Sequence, residues 1–237
     1  MKISRSNLVM VVIWFLLVAL TGLTRPAPAV QADSRQLPDG TPAPRSMLGP
    51  KNTGDAWVTT DFDTAEDWYA FSLESEGEYT VGLDRGVLYL ELPGTFENVY
   101  VFHETPLDAS DVRLEAVVEN VSPVTANNIS LVCRAGEGGW YEFSINSGGF
   151  WHIWKLADGQ FTELATGATK VINQKRARNV ITAACIGSEL TLYVNYRKVG
   201  STKDRAFQDG GQVGIGVSSF AIPGVAVDID RFSATVP

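Results

Sequence analysis

The residues best suited to chemistry lie in one short stretch, Gly139-Trp140-Tyr141-Glu142-Phe143-Ser144-Ile145-Asn146 followed by Phe150-Trp151-His152-Ile153-Trp154-Lys155. The halves meet at Ser147-Gly148-Gly149, a turn signal, so the stretch predicts a β-hairpin. Side chains alternate between the two faces of a strand. Tyr141, Phe143 and Ile145 therefore share one face of the first strand, and Trp140, Glu142, Ser144 and Asn146 the other. On the second strand Trp151, Ile153 and Lys155 alternate with Phe150, His152 and Trp154. Indole rings supply flat apolar area on which the face of a pyranose can lie, and neighbouring Glu, His and Arg groups can fix its hydroxyls. That is the usual mixture of apolar wall and few polar groups in a ligand site.

Catalytic sets are harder to assemble. A glycosidase needs two carboxylates flanking one bond. Asp61-x-Asp63-x-x-Glu66 reads as an edge strand running into a solvated loop. Glu74-x-Glu76-x-Glu78, with Ser75 and Gly77 between, reads as a charged loop. Asp228-x-Asp230 lies on the last strand, facing solvent or bracing Arg231. The sequence has no Gly-x-Ser-x-Gly nucleophile elbow and no Gly-x-Gly-x-x-Gly opening a helix. His103 and His152 could each act as a base, but spacing supplies neither with a partner. No catalytic residue and no cofactor is expected.

The elements that would position the hairpin are all strands. Tyr79–Leu83 meets Val87–Glu91 across Asp84-Arg85-Gly86. Val99–His103, Val112–Val118, Ile129–Arg134 and Phe161–Ala165 follow the same short pattern. Asn179–Ile186 joins Leu190–Val194 through Gly187-Ser188, and Lys198–Thr202, Gln212–Ser218 and Val225–Val236 close the series. No segment holds a helical period over ten residues. Many short strands at regular spacing predict an all-β sandwich or barrel, and residues 55–237 are enough to close a two-sheet core.

Residues 1–32 read as a signal peptide: Lys2 and Arg5, an apolar run from Leu8 to Leu23, and small residues before a cut ahead of Asp33. Residues 33–54 carry Pro38, Pro42, Pro44 and Pro50 and read as a flexible linker. The expected product is secreted or otherwise extracytoplasmic, with no stable membrane insertion after cleavage. The net charge is −8. Losing Lys2, Arg5 and Arg25 with the leader takes it to −11, which disfavours nucleic acid as a partner. In an oxidising compartment Cys133 and Cys185 are expected to form a disulfide, the alternative being two buried thiols.

In order, Asp61-Phe62-Asp63, Trp68, Cys133-Arg134, Tyr141-x-Phe143-x-Ile145, Gly149-x-Trp151-x-Ile153, Asn179, Gly187-x-x-Leu190-x-Leu192-x-Val194-Asn195, Asp204, Gly211-x-Val213-Gly214-Ile215 and Asp228-Ile229-Asp230-Arg231-Phe232 resemble the concanavalin A-like (laminin G-like) jelly roll. More closely, they are similar to exported bacterial domains related to the 3-keto-disaccharide hydrolase group. The resemblance implies a two-sheet antiparallel jelly-roll sandwich with a concave face that relatives often use for glycans. It pairs Trp151 and Ile153 with the core set. That leaves Trp140, Glu142, His152 and Trp154 on the opposite face, joined by Ser130, Val132 and Arg134 if Cys133 points inward. Enzymes of this kind carry Glu-x-Asp-x-x-Glu on one strand, and here the nearest spacing begins with Asp61. Such domains can hold calcium in loops. Asp108/Asp111 and Asp204/Asp209 supply oxygens without a recognisable loop pattern. Tyr196 stands where a turn glycine is usual, which predicts a longer or differently shaped turn.

The expected function is a non-catalytic module binding a glycan or cell-surface polymer. Trp140 and Trp154 would be its platforms, and Arg134, Glu142 and His152 its polar contacts. The alternatives are a glycoside-active enzyme of the 3-keto-disaccharide hydrolase type and a protein-interaction or structural domain.

Overall fold

The structure is a computed structural model that describes residues 55–73 and 78–237. The expected signal peptide and linker, and Glu74 and Glu76 of the charged loop, lie outside the described residues. Among the described residues every regular element is a strand: β1 (Asp55–Thr60), β2 (Trp68–Leu73), β3 (Thr80–Asp84), β4 (Val87–Leu92), β5 (Asn98–His103), β6 (Val112–Asn120), β7 (Asn127–Gly136), β8 (Gly139–Ile145), β9 (Phe150–Ala157), β10 (Gln160–Ala168), β11 (Arg178–Ile186), β12 (Glu189–Val194), β13 (Arg197–Lys203), β14 (Gln212–Ser219) and β15 (Val225–Val236). Sheet I runs β13-β12-β11-β6-β15-β4-β3, with β1 also paired to β15, and sheet II runs β10-β9-β8-β7-β14-β5-β2. The strands pair antiparallel throughout. The fold class is the two-sheet jelly-roll sandwich expected.

Alternation builds the core. Val112, Leu114, Ala116 and Val118 of β6 point inward while Arg113, Glu115 and Val117 are half exposed. Facing them are Leu131, Tyr141, Phe143, Ile145, Ile153, Ile215 and Val217 of sheet II. A buried aliphatic or aromatic side chain contributes roughly 1.5–3 kcal/mol, so these facing rows hold the sheets together. The Cys133–Cys185 disulfide crosses the core from β7 to β11.

Two local features differ from expectation. The β12–β13 turn keeps two residues, Asn195 and Tyr196, at φ 47° and 66°. Tyr196 adopts a left-handed backbone because Asn195 is fixed on both sides of it. The Asn195 Nδ2 donates to Val171 O and to Asn179 Oδ1, and its Oδ1 accepts from the Val180 amide. Such anchoring makes left-handed strain at a non-glycine tolerable. The second feature is β2, a strand that alternation did not mark; it forms the edge of sheet II next to β5.

Candidate functional site

Strand register stacks the outward side chains of sheet II into rows crossing it. One row runs from Thr166 through His152, Ser144, Ser130 and Gly216 to Tyr100 and Phe71. The next runs from Glu163 through Trp154, Glu142, Val132 and Gly214 to Phe102 and Tyr69. β14 contributes only glycines to these two rows, which leaves a gap. Rings from β5 lie across it: a Cβ on Gly216 would meet Tyr100 Cε1 at 2.6 Å, and one on Gly214 would meet Phe102 Cδ1 at 2.8 Å.

The result is a closed aromatic layer on half of the face. Phe71 stacks on Tyr100 and Phe102 at 5.6 and 5.5 Å, and Trp140 meets Tyr100 and Phe102 edge-on at 5.2 and 5.8 Å. Trp140 is 8% exposed, so it is a wall of this layer and not an open platform. Its indole N–H meets no acceptor at full hydrogen-bond geometry among the described residues, yet lies near enough to the Glu142 carboxylate to act on it.

Glu142 lies beneath the layer, 2% exposed, and accepts a 2.9 Å hydrogen bond from the Tyr100 hydroxyl. Burial pushes its pKa up, while the Ser130, Tyr100 and Trp140 side chains pull the other way and do not offset it. Burial also drives the Tyr100 phenol well up, and the Glu142 carboxylate adds to that.

The other half of the face, over β8, β9 and β10, is more open. Trp154 is half-buried; its Nε1 donates to Ser144 Oγ at 3.2 Å and its ring stacks on His152 at 5.0 Å. Phe161, 41% exposed, meets it edge-on at 6.4 Å. His152 Nδ1 lies 2.9 Å from Glu163 Oε2 and 2.9 Å from Thr166 Oγ1. Here a flat ring is pinned in place beside imidazole, carboxylate and hydroxyl groups.

The structure therefore brings Trp140, Glu142, His152 and Trp154 to one face and separates Arg134 from them. Pairing shifts between Cys133 and Gly136, and Arg134 takes φ 54°, which turns its side chain away from the outward row. The guanidinium instead donates to the carbonyls of Ser110 at 2.7 Å, Phe207 at 2.9 Å and Cys185 at 3.3 Å, and pairs with Asp111 at 3.5 Å. Arg134 is a brace at the sandwich end. Asp111 also accepts from the Gly187 amide. Asp204 is held by Tyr141, Lys155 and the Ala206 amide. Among the described residues no three His, Cys, Asp or Glu side chains form a group able to hold a metal.

Sequence reasoning missed Tyr69, Phe71, Tyr100 and Phe102 as members of the face. The alternation of Tyr100 and Phe102 with Val99 and Val101 was visible. Their place beside Trp140 depends on the order β8-β7-β14-β5, which spans distant parts of the chain.

No family model and no curated protein matches this sequence. Solved structures do. The chain is similar to the carbohydrate-binding module CBM66 from Bacillus subtilis, at 13% identity and TM-score 0.55, over 71% of this chain and 95% of that one. It is similar to a β-glucanase from Bacillus licheniformis, at 12% identity and TM-score 0.58, over 78% and 100%. A third match is a protein of unknown function with a galectin-like fold from Bacillus subtilis, at 11% identity and TM-score 0.61, over 77% and 96%. The fold is the concanavalin A-like jelly roll. Identities this low carry the fold and nothing finer, so what this jelly roll binds must be argued from its own face.

Proposed function

We propose that this jelly roll is an exported carbohydrate-binding module whose ligand lies on the open half of sheet II, against Trp154. The observation that carries the reading is the half-exposed Trp154 ring, pinned by Ser144 and His152 and bordered by Glu163, Thr166 and Phe161. An immobilised ring with polar neighbours binds a pyranose with little further loss of side-chain freedom. The named likeness to a carbohydrate-binding module supports the same reading. The Cys133–Cys185 bond fits an oxidising compartment, in keeping with the expected leader.

The test is retention of the exported chain on polysaccharide gels, compared with Trp154→Ala. Loss of an anchoring tryptophan is expected to cost about 2 kcal/mol, roughly 30-fold in affinity, with the far-ultraviolet spectrum unchanged. Equal retention of parent and variant refutes the platform.

A second reading, glycoside hydrolysis, draws on Glu142 and Glu163. They occupy the same row two strands apart, about 9–10 Å between backbones, and Glu142 has a raised pKa. Burial of Glu142 under Tyr100 weighs against it, since an acid must reach the bond it protonates. Reducing-sugar release abolished by Glu142→Gln would promote this reading over simple binding.

A further inference from the structure

Beside the Trp154 platform, towards the Phe150 end of sheet II, the outward positions become polar. Asn128 pairs with Ser218, and Ser218 with Asn98. Asn146 stands next to Asn128, one residue beyond the Ile129–Ile145 pair. We propose that Asn128, with Asn98, Asn146 and Ser218, forms a subsite that reads the hydroxyls of a neutral oligosaccharide reaching across from Trp154. This deepens the carbohydrate-binding reading and rests on it.

Asn128 is the residue that marks the subsite. It is more than nine-tenths buried, yet its Oδ1 has no hydrogen-bond partner among the described residues. An unpaired buried amide is costly to the fold, and native structures leave few of them. A side chain kept at that cost on an outward row is explained by a ligand that completes it after displacing the side chains that cover its Oδ1. Asn146 is ready to share the task. Its Oδ1 accepts from the amides of Gly148 and Phe150 at 2.9 and 3.0 Å, which fixes the side chain and leaves its NH2 group as a donor.

Charge and spacing define the ligand class. No Lys or Arg occupies an outward position on β9, β8, β7, β14 or β5 in these rows, and the carboxylate among them is the buried Glu142. An anionic polysaccharide would find no counter-charge there. Amides and hydroxyls offer both donors and acceptors, as sugar hydroxyls do. The rows of Trp154 and Asn128 lie four residues apart along the strands, roughly 13 Å, and two strands apart across them. A ligand touching both is an oligosaccharide and not a single sugar.

The experiment compares the exported full chain with Asn128→Leu and Trp154→Ala on separate gels of xylan, laminarin, mannan, amylose and galactan, with polygalacturonate as the anionic arm. Parent protein is expected on at least one neutral gel and not on polygalacturonate. Asn128→Leu should bind that polysaccharide at least ten-fold more weakly, while the free variant melts at or above the parent, because leucine removes the unpaired amide at similar volume. Asn128→Leu binding within two-fold of parent, with Trp154→Ala binding lost, overturns the subsite and leaves the platform standing. A lower melting temperature for Asn128→Leu assigns the amide to the fold and overturns its ligand role. Preference for polygalacturonate overturns the neutral class. Absence of parent from every gel overturns the platform and the subsite together.

Discussion

Gly216→Ala tests whether the glycine gap in β14 is what allows the aromatic layer to form. A Cβ there would stand 2.5 Å from Ser130 Oγ and 2.6 Å from Tyr100 Cε1, where ordinary contact begins near 3.4 Å. Close to an ångström of movement is needed. Tyr100 cannot slide sideways, since Phe71, Phe102 and Trp140 surround it at 5.6, 6.0 and 5.2 Å. The remaining path lifts the ring from the sheet and breaks its 2.9 Å bond to Glu142. Overpacking costs about 1–3 kcal/mol. Losing that hydrogen bond and leaving its buried partners unpaired costs about 1–3 kcal/mol. Some overlap between the two effects is expected, so the variant should lose about 2–5 kcal/mol in urea unfolding at neutral pH.

The mechanism has a sharper signature than the total. If the alanine acts by breaking the Tyr100–Glu142 bond, adding Tyr100→Phe to Gly216→Ala should cost much less than Tyr100→Phe alone, because the bond is already gone. A loss below about 0.5 kcal/mol for Gly216→Ala, or strict additivity in the double variant, would refute the argument that the glycine makes room for a ring held on a buried carboxylate.

Glu142→Gln should change the pH dependence of stability with a definite sign. The folded-state pKa of Glu142 is raised, so the native state keeps a proton that the unfolded chain has released. Stability therefore falls as pH rises from the ordinary carboxylate range through the folded-state value, and the loss is complete above it. Glutamine does not ionise, so the variant's stability relative to the parent should climb across that window and then level off. Urea midpoints at closely spaced pH values measure this, and a difference independent of pH contradicts it. Separately, the Cys133→Ala/Cys185→Ala variant loses a cross-link with a sequence separation of 52 residues. Chain entropy assigns such a loop about 4 kcal/mol, or roughly 2 M in urea midpoint at about 2 kcal/mol per M. A shift under about 0.5 M would show that the bridge does little to constrain the unfolded chain.

Alternation and the jelly-roll resemblance together made half of the hairpin legible. Period-two spacing put Tyr141, Phe143 and Ile145 on one face, the resemblance paired Trp151 and Ile153 with them, and all five are in the core. The cysteine pairing followed from compartment chemistry and is present. What the sequence concealed depends on strand order and backbone exceptions. Open space beside Trp140 could be expected from β8 and β9, but β5 supplies the rings that close it, and β5 comes next only because β7 and β14 intervene. The bulge that withdraws Arg134 is a single left-handed residue inside a run that reads as a regular strand. Tyr196 keeps a two-residue turn because Asn195 is anchored by residues 15 to 24 positions away.

The closed and open halves of the face also bear on each other. Glu142 is expensive to bury, yet it ties β8 to β5 across two intervening strands through Tyr100. On that same strand, two residues further, Ser144 holds the Trp154 indole, and Trp154 pairs directly with Glu142 in the neighbouring strand. A platform held by a neighbouring strand that is locked on its other side has few rotamers left to lose when a ligand arrives. The layer that removes Trp140 from contact with ligand therefore contributes to the proposed binding by making Trp154 rigid. On this argument Gly216→Ala should weaken glycan retention as well as stability, although Gly216 lies three strands from the platform.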